Sequence, residues 1–410
     1  MNNMIKVCAP QRVKGEVRLP SSKSICNRAL IINSLAGNDE MPQNLSDCDD
    51  TRVMVDWLTS RPDVIDIGAA GTAMRFSTAL LAVTKGTHVI TGTERMKNRP
   101  VSVLVDALRQ LGADVRYVEK DGFPPLSVTG NEKLPGGDIE LSGSVSSQYV
   151  SALLMIAPVM SNGLRLVLQG NVVSRPYIDM TISLMSEFGA DVRWETANSI
   201  VVRPVAYKKR QYYVESDWSA ASYWYEMTAL TKDLDVEITL PGLHKKSLQG
   251  DSKVADLFGQ LGVETSYSDE GVTLRKCARK TDRLEYDFVE IPDLAQTFVV
   301  TCCMLGIPFH FTGLQSLKIK ETDRIEALKC ELRKLGYLIQ DSNDSELSWN
   351  GEKCDAQAAP AIDTYEDHRM AMAFAPCALC LGEININNPQ VVSKSYPGYW
   401  DDLKSVGFAL

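Results

Sequence analysis

Histidine is scarce: there are four in 410 residues, which argues against a metal centre built on imidazoles. No apolar run is long enough to span a bilayer. The opening residues, Met1 to Lys6, have neither the apolar core of a secretory signal nor an Arg/Ser-rich transit character, so a cytoplasmic protein is expected. Basic residues are outnumbered, with a formal net charge of -9, which argues against non-specific nucleic-acid binding. No G-x-x-x-x-G-K-[ST] is present, nor a G-x-G-x-x-G followed by a ribose-binding acid, so nucleotide use has no support. A G-x-S-x-G elbow is missing too. The ten cysteines are scattered, with Cys302, Cys303 and Cys330 inside apolar stretches, and read as reduced, core-filling thiols. Cys377 and Cys380 match C-x-x-C, but they lie in an apolar helix-like run without a second ligand pair, so buried structure is expected. Neither metal nor cofactor is expected. No apolar stripe is left over for a partner, so the expected state is a monomer.

What is present is a repeated phrase. An amphipathic helix ends in an apolar residue and glycine, and a short apolar strand follows. The phrase occurs at Leu111-Gly112, Phe188-Gly189, Leu261-Gly262, Leu335-Gly336 and Val406-Gly407, at a nearly constant interval. Glycine at a helix C-terminus on a fixed period marks a structural repeat. Each unit has room for two helices and several strands, which predicts α/β units with mixed sheets. A degraded sixth copy falls around Asp50–Leu58. Six units divide naturally into two domains of three.

The second helix of each unit has a polar start and an apolar body: Ser22-Lys23-Ser24 before Ile25–Leu35, Gly71 to Arg75 before Phe76–Val83, and Ser144 to Gln148 before Tyr149–Met160. The series continues with Asp217-Trp218-Ser219, Pro292-Asp293 and Asp367-His368-Arg369. Helices apolar nearly all round are buried. Their N-terminal N–H groups then need caps, expected from small hydroxyl residues, and their positive ends suit anions. Cations beside such ends are unfavourable unless an anion binds. Further cations precede the amphipathic helices, at Arg95, Lys97 and Arg99, at Arg175 after Ser174, and at Lys394.

The densest stretch is Lys320-Glu321-Thr322-Asp323-Arg324. Lys320 and Arg324, four apart, are expected on one helix face, leading Ile325, Leu328, Leu332 and Leu335 at helical spacing. The stretch by itself leaves two readings open, a solvated turn and a site that holds a polyanion while Glu321 moves protons. Many cations with few carboxylates point to transfer chemistry on a small polyanionic substrate, with Glu321 and Asp293 as candidate acid/base groups.

Six motifs together carry a resemblance: Leu19-Pro-Ser-Ser-Lys-Ser-Ile-Cys-Asn-Arg28, Gly71-Thr-Ala-Met-Arg75, Arg95-Met-Lys-Asn-Arg99-Pro, Ser144-Val-Ser-Ser-Gln148, Lys320-Glu-Thr-Asp-Arg324 and Asp367-His-Arg-Met-Ala-Met372. In this order over essentially the whole chain, the sequence resembles the EPSP synthase (3-phosphoshikimate 1-carboxyvinyltransferase) family. The resemblance implies an α/β fold of two similar domains closing over the active site, each of three βαβαββ repeats with buried helices. It places residues 1–20 with 215–410 in a domain mainly on the phosphoenolpyruvate side, and 21–214 in one mainly on the shikimate 3-phosphate side. Those two small molecules are the implied partners, with no cofactor. Shikimate 3-phosphate would be held by Lys23, Ser24, Arg28, Ser146, Ser147, Gln148, Ser174, Asp293 and Lys320. Phosphoenolpyruvate would be held by Lys23, Gly71, Arg99, Gln148, Arg324, Arg369 and Lys394. Asp293, Glu321, Lys23 and Lys320 would carry the chemistry.

The sequence departs from the family pattern at Ser21, Ala69, Phe76 and Ser316, and Asp47–Asp66 is short. The nearest rival is the UDP-N-acetylglucosamine enolpyruvyl transferase group, which has a different lysine turn and a loop cysteine where this chain reads Arg95 to Arg99. A rival of another kind is a non-catalytic repeat protein that binds phosphorylated metabolites.

Overall fold

Residues 4–410 are described in a computed structural model. The chain divides into two units. One combines the residues up to Pro20 with Glu215–Leu410, and the other is Ser21–Val214.

Within Ser21–Val214, two four-stranded sheets share one order. Strand Val64–Asp66 pairs in parallel with Gly86–Thr91, which pairs antiparallel with Leu126–Gly130, which pairs with Asp114–Tyr117. Gly137–Ser142, Leu164–Gln169, Ser199–Val202 and Val192–Thr196 repeat the pattern. The parallel pair needs a crossover, and a buried helix supplies it. After the amphipathic helix, a hairpin adds the last two strands. The first repeat of this unit has both helices, Lys23–Leu35 and Asp49–Ser60, but among the described residues its strands are reduced to isolated bridge positions, at Ser21 and at Gln43, which pairs with Tyr213. It thus departs from three full βαβαββ repeats, because the short segment before Asp66 has no room for the strands.

The other unit repeats the same order twice, from Lys14–Glu16 with Glu237–Pro241 and from Leu284–Asp287 with Phe309–Thr312. Its final sheet is completed from the far end of the chain. Ala361–Ile362 pairs in parallel with Glu383–Asn387, and Met4–Cys8 takes the next place, antiparallel, with Met4 opposite Asn387 and Cys8 opposite Glu383. Cys8 also bridges Ala409.

The predicted buried helices are present as Lys23–Leu35, Gly71–Ala82, Ser147–Ile156, Trp218–Leu230, Ala295–Leu305 and His368–Phe374. Two are shorter than their apolar runs. Pro158 and Pro376 each turn the continuation into a 3₁₀ segment, Ala157–Val159 and Ala375–Cys377. The five phrase glycines all have positive φ, between 87° and 107°. At Gly112, Gly189, Gly336 and Gly407 the glycine N–H and the one after it donate back into the last helical turn, as in the Schellman motif. Helix Asp49–Ser60 ends the same way with Arg61 at φ 46°, so the sixth copy is degraded because arginine stands where glycine would be. Cys302, Cys303 and Cys377 are buried, whereas Cys330 is exposed on its amphipathic helix and fills no core. Among the described residues no helix is long and apolar enough to cross a membrane.

Candidate active site

In Glu215–Leu410, four cations share three carboxylates. Asp323 caps helix Arg324–Lys334 through the Glu326 N–H, so the helix begins at Arg324 and Lys320 lies before it, after the 3₁₀ segment Gln315–Ile319. The expected common helix face for Lys320 and Arg324 is therefore corrected: the two meet through Asp293 instead. Lys320 Nζ lies 3.5 Å and Arg324 Nη1 3.2 Å from Asp293 Oδ1. Arg369 Nη2 reaches Asp293 Oδ2 at 2.9 Å, and Lys394 Nζ lies 3.2 Å from Glu321 Oε1. Arg324, 1% exposed, also donates to Glu321 at 2.9 Å and to Asp367 at 2.7 and 3.4 Å. Asp367, with no exposed surface, caps helix His368–Phe374 through the Arg369 N–H. The cations at these helix starts thus have counter-ions built into the protein, and do not depend on a bound anion as the sequence suggested.

Electrostatics follow from that geometry. Burial alone would raise the Asp293 carboxyl, but Arg369, Lys320 and Arg324 outweigh it and hold the group well below the usual carboxylate range. Burial would lower Arg324, but Asp367, Glu321 and Asp293 hold it above its ordinary value. The Tyr223 hydroxyl, which accepts from Arg369 Nη1 at 3.4 Å, is pushed up to about 12 by burial, partly offset by that arginine. Burial and the nearby Asp293 charge lift Asp251, whose carboxylate accepts from Ser219, to about 7.

In Ser21–Val214, Lys23 opens its helix with Nζ 3.6 Å from the buried Asp50. Ser24 follows, and its carbonyl accepts from Arg28 Nη1 at 2.9 Å. Arg28 is 2% exposed, and all three of its nitrogens donate: besides the Nη1 bond, Nε donates to Thr181 at 2.7 Å, and Nη2 to Ser151 at 3.1 Å and to the Tyr177 carbonyl at 3.4 Å. It cross-links three helices. Ser174 sits at φ 53° before helix Arg175–Glu187, which carries Tyr177 and Thr181. Gly71, Arg99 and Gln148 come together. A Cβ on Gly71 would lie 2.5 Å from Arg99 Nη1. Arg75 joins the Gly71 carbonyl at 2.9 Å to the Gln148 amide oxygen at 3.0 Å, and Gln148 Nε2 donates to Thr72 at 3.1 Å. Ser146 caps the Gln148 N–H, with Ser147 between them.

The expected hydroxyl caps are only partly present. Ser146 caps its helix, but Asp217 and Asp367 cap with carboxylates. Ser22 makes no side-chain cap bond, and Ala70, before Gly71, has no side chain to do so. The helices led by Lys23 and Gly71 therefore start without a side-chain cap from their N-cap residues. Sequence reasoning missed Asp50, Tyr223, Ser151 and Thr181. Asp50 had a signal, the acid run Asp47-Cys-Asp-Asp50 leading into the first turn of a helix. Ser151 and Thr181 are single hydroxyls in apolar helices, and only the rule that buried polar groups are paired points to them.

Two units built on one βαβαββ order, with ionic clusters at the starts of buried helices, define a repeat-built α/β protein. The chain belongs to the EPSP synthase (3-phosphoshikimate 1-carboxyvinyltransferase) family, whose model matches residues 7–61 and 58–403. A 3-phosphoshikimate 1-carboxyvinyltransferase from Bacteroides fragilis is 59% identical over 402 residues, covering 98% of this chain and 97% of that protein. One from Shewanella pealeana is 36% identical, covering 98% and 99%. The structure of EPSP synthase from Acinetobacter baumannii superposes with a TM-score of 0.79 at 19% identity, covering 100% of both chains. The enolpyruvyl transferase NikO from Streptomyces tendae gives 0.73 at 16%, covering 100% of this chain and 98% of that one. These two show the shared fold. The resemblance drawn from the six motifs is borne out at the level of family and fold.

Proposed function

We propose that this enzyme transfers the enolpyruvyl group of phosphoenolpyruvate to the 5-hydroxyl of shikimate 3-phosphate, releasing 5-enolpyruvylshikimate 3-phosphate and phosphate. Family membership, with 59% identity to a protein of that name over nearly the whole chain, supports the reaction. The observation that carries the mechanism is the cluster of Lys320, Arg324, Arg369 and Lys394 around Asp293 and Glu321.

The 5-hydroxyl oxygen attacks C2 of phosphoenolpyruvate and loses its proton, while the C3 methylene gains one. The resulting tetrahedral phosphoketal then loses phosphate, and a C3 proton leaves to restore the enol ether. Asp293 with Lys320 serves the hydroxyl, and Glu321 with Lys23 serves the methylene. A carboxylate held well below its usual range is a weak base. Substrate phosphate and carboxylate groups that claim Arg369, Lys320 and Arg324 raise its basicity, so Asp293 accepts a proton once the site is filled.

Glu215–Leu410 with the first 20 residues takes mainly phosphoenolpyruvate, through Arg324, Arg369 and Lys394. Ser21–Val214 takes mainly shikimate 3-phosphate, through Ser24, Arg28, Ser146, Ser147 and Ser174. Lys23, Gly71, Arg99 and Gln148 add contacts to the donor, Lys23 and Gln148 also serve the acceptor, and Asp293 and Lys320 complete the acceptor contacts. The enzyme acts as a cytoplasmic monomer in aromatic amino acid biosynthesis, and glyphosate competes with phosphoenolpyruvate. Glyphosate inhibition that is non-competitive with phosphoenolpyruvate would remove that part of the reading. The deciding experiment is phosphate release measured with both substrates and with each omitted. Release only when both are present is expected. Release with UDP-N-acetylglucosamine in place of shikimate 3-phosphate, or binding without release, would overturn the assignment.

A further inference from the structure

Residues Thr364 to Asp367 form a tight turn closed by the Asp367 N–H on the Thr364 carbonyl at 2.8 Å. Both central residues have positive φ, Tyr365 at 52° and Glu366 at 56°. Turns of this I′ kind favour Asn, Asp or Gly at both places. The chain has one that obeys the rule: Asn343 and Asp344, at φ 54° and 55°, close the hairpin between Gln340–Ser342 and Glu346–Trp349. Tyrosine and glutamate have no such preference, so the turn before Asp367 is strained and something else must hold it.

Glu331 supplies the hold. It has no exposed surface and lies on helix Arg324–Lys334. Its Oε1 accepts the Tyr365 hydroxyl at 2.6 Å, and its Oε2 accepts the Asp363 N–H at 3.1 Å. Lys334 Nζ lies 2.7 Å from Glu331 Oε2 and 2.8 Å from Asp363 Oδ2. The Asp363 carboxylate also accepts from Asn387 at 2.7 Å. One helix thus grips the segment at two points: Arg324 at its start holds Asp367, and Glu331 two turns on holds the residues leading into it.

We propose that Glu331 and Tyr365 are positioning residues, which act through this turn to hold Asp367 and Arg369 in register with Arg324. They touch no substrate. A short charge-assisted hydrogen bond to a buried carboxylate fixes the turn, and the turn fixes the start of helix His368–Phe374. The effect on turnover rests on the function proposed above, whereas the clamp itself does not.

Three forms of the full chain test it: wild type, Tyr365→Phe, and Tyr365→Phe with Glu366→Asn. Phenylalanine removes only the hydroxyl, and asparagine accepts the left-handed conformation more readily. In Tyr365→Phe, amide exchange at Arg369 and Met370 should speed up while the melting temperature stays near wild type. The KM for phosphoenolpyruvate should rise about tenfold, more than kcat falls. Adding Glu366→Asn should recover most of both losses. Unchanged exchange in Tyr365→Phe would overturn the clamp, as would a loss that Glu366→Asn does not rescue. Faster exchange with unchanged kinetics would overturn the positioning role. A wild type without turnover would remove the function instead, leaving exchange and its rescue to decide the clamp.

Discussion

Arg28 has each of its three nitrogens donating inside the protein, and burial lowers its pKa to about 10, only partly offset by Tyr177. Removing such a group leaves a cavity and buried hydroxyls with fewer partners. Arg28→Ala should cost about 2–4 kcal/mol of stability, read as a shift in the urea midpoint. It should also weaken shikimate 3-phosphate binding by a few kcal/mol, about 100-fold in Kd. Calorimetry showing unchanged affinity would confine Arg28 to a structural role. Glu321 sits between Arg324 and Lys394, so Glu321→Gln keeps its shape and removes its charge and proton chemistry. Turnover should fall about 100-fold or more with substrate affinities changed far less. Near-normal kcat would take Glu321 out of the chemistry. Gly71 is constrained by side-chain tips rather than by backbone, since Arg99 and Arg75 occupy the space of a Cβ. Gly71→Ala should therefore fold but displace Arg99, raising the KM for phosphoenolpyruvate about tenfold. A KM equal to wild type would show that Arg99 yields without loss.

Helix Trp218–Leu230 is buried all round, and Glu226 in its middle has no exposed surface. Among the described residues neither carboxyl oxygen has a hydrogen-bond partner of good geometry; the Thr301 hydroxyl nearby donates to the Thr297 carbonyl at 2.7 Å. Burial pushes this group well above its usual 4.5, with Thr301 offsetting only part. A carboxyl raised on folding binds more protons folded than unfolded. Its contribution is therefore favourable at acid pH and is lost as pH climbs above the unfolded value, by about 1.4 kcal/mol per unit. Glu226→Gln should be more stable relative to wild type at pH 8 than at pH 5, by urea titration at both. Equal differences at the two values would mean that Glu226 is charged or hydrated in the fold. At this scale the helices were legible from their periodicity, and the helix ends from their glycines, since a left-handed residue after the last turn has few chemical options. The end at Arg61 was not, because arginine carries no such preference. Nor was the true start at Arg324: Lys320 fits the four-residue spacing, and only the Asp323 cap shows that the helix begins after it.

Both crossings between the units fall where the chain passes from Pro20 to Ser21 and from Val214 to Glu215. Ser21–Val214 has its own sheets and buried helices, so expressed alone it should unfold cooperatively in urea. A gradual loss of structure without a sigmoidal transition would show that it depends on the remainder. The repetition was legible because the copies share one period, although among the described residues the sheets number five and not six. The sharing of strands was not, since a five-residue segment such as Met4–Cys8 carries no mark of the strand it will join. The ionic clusters were half legible. Their cations stood out against the helix dipole, whereas Asp50 and Asp367, which neutralise them, resembled ordinary helix caps. The pairing of Met4–Cys8 with Glu383–Asn387, beside the bridge from Cys8 to Ala409, also bears on the order of events at the ribosome. Met4–Cys8 is made before Ser21–Val214, and its partner strand is made after it. Ser21–Val214 can therefore emerge whole and fold before that strand has anything to pair with.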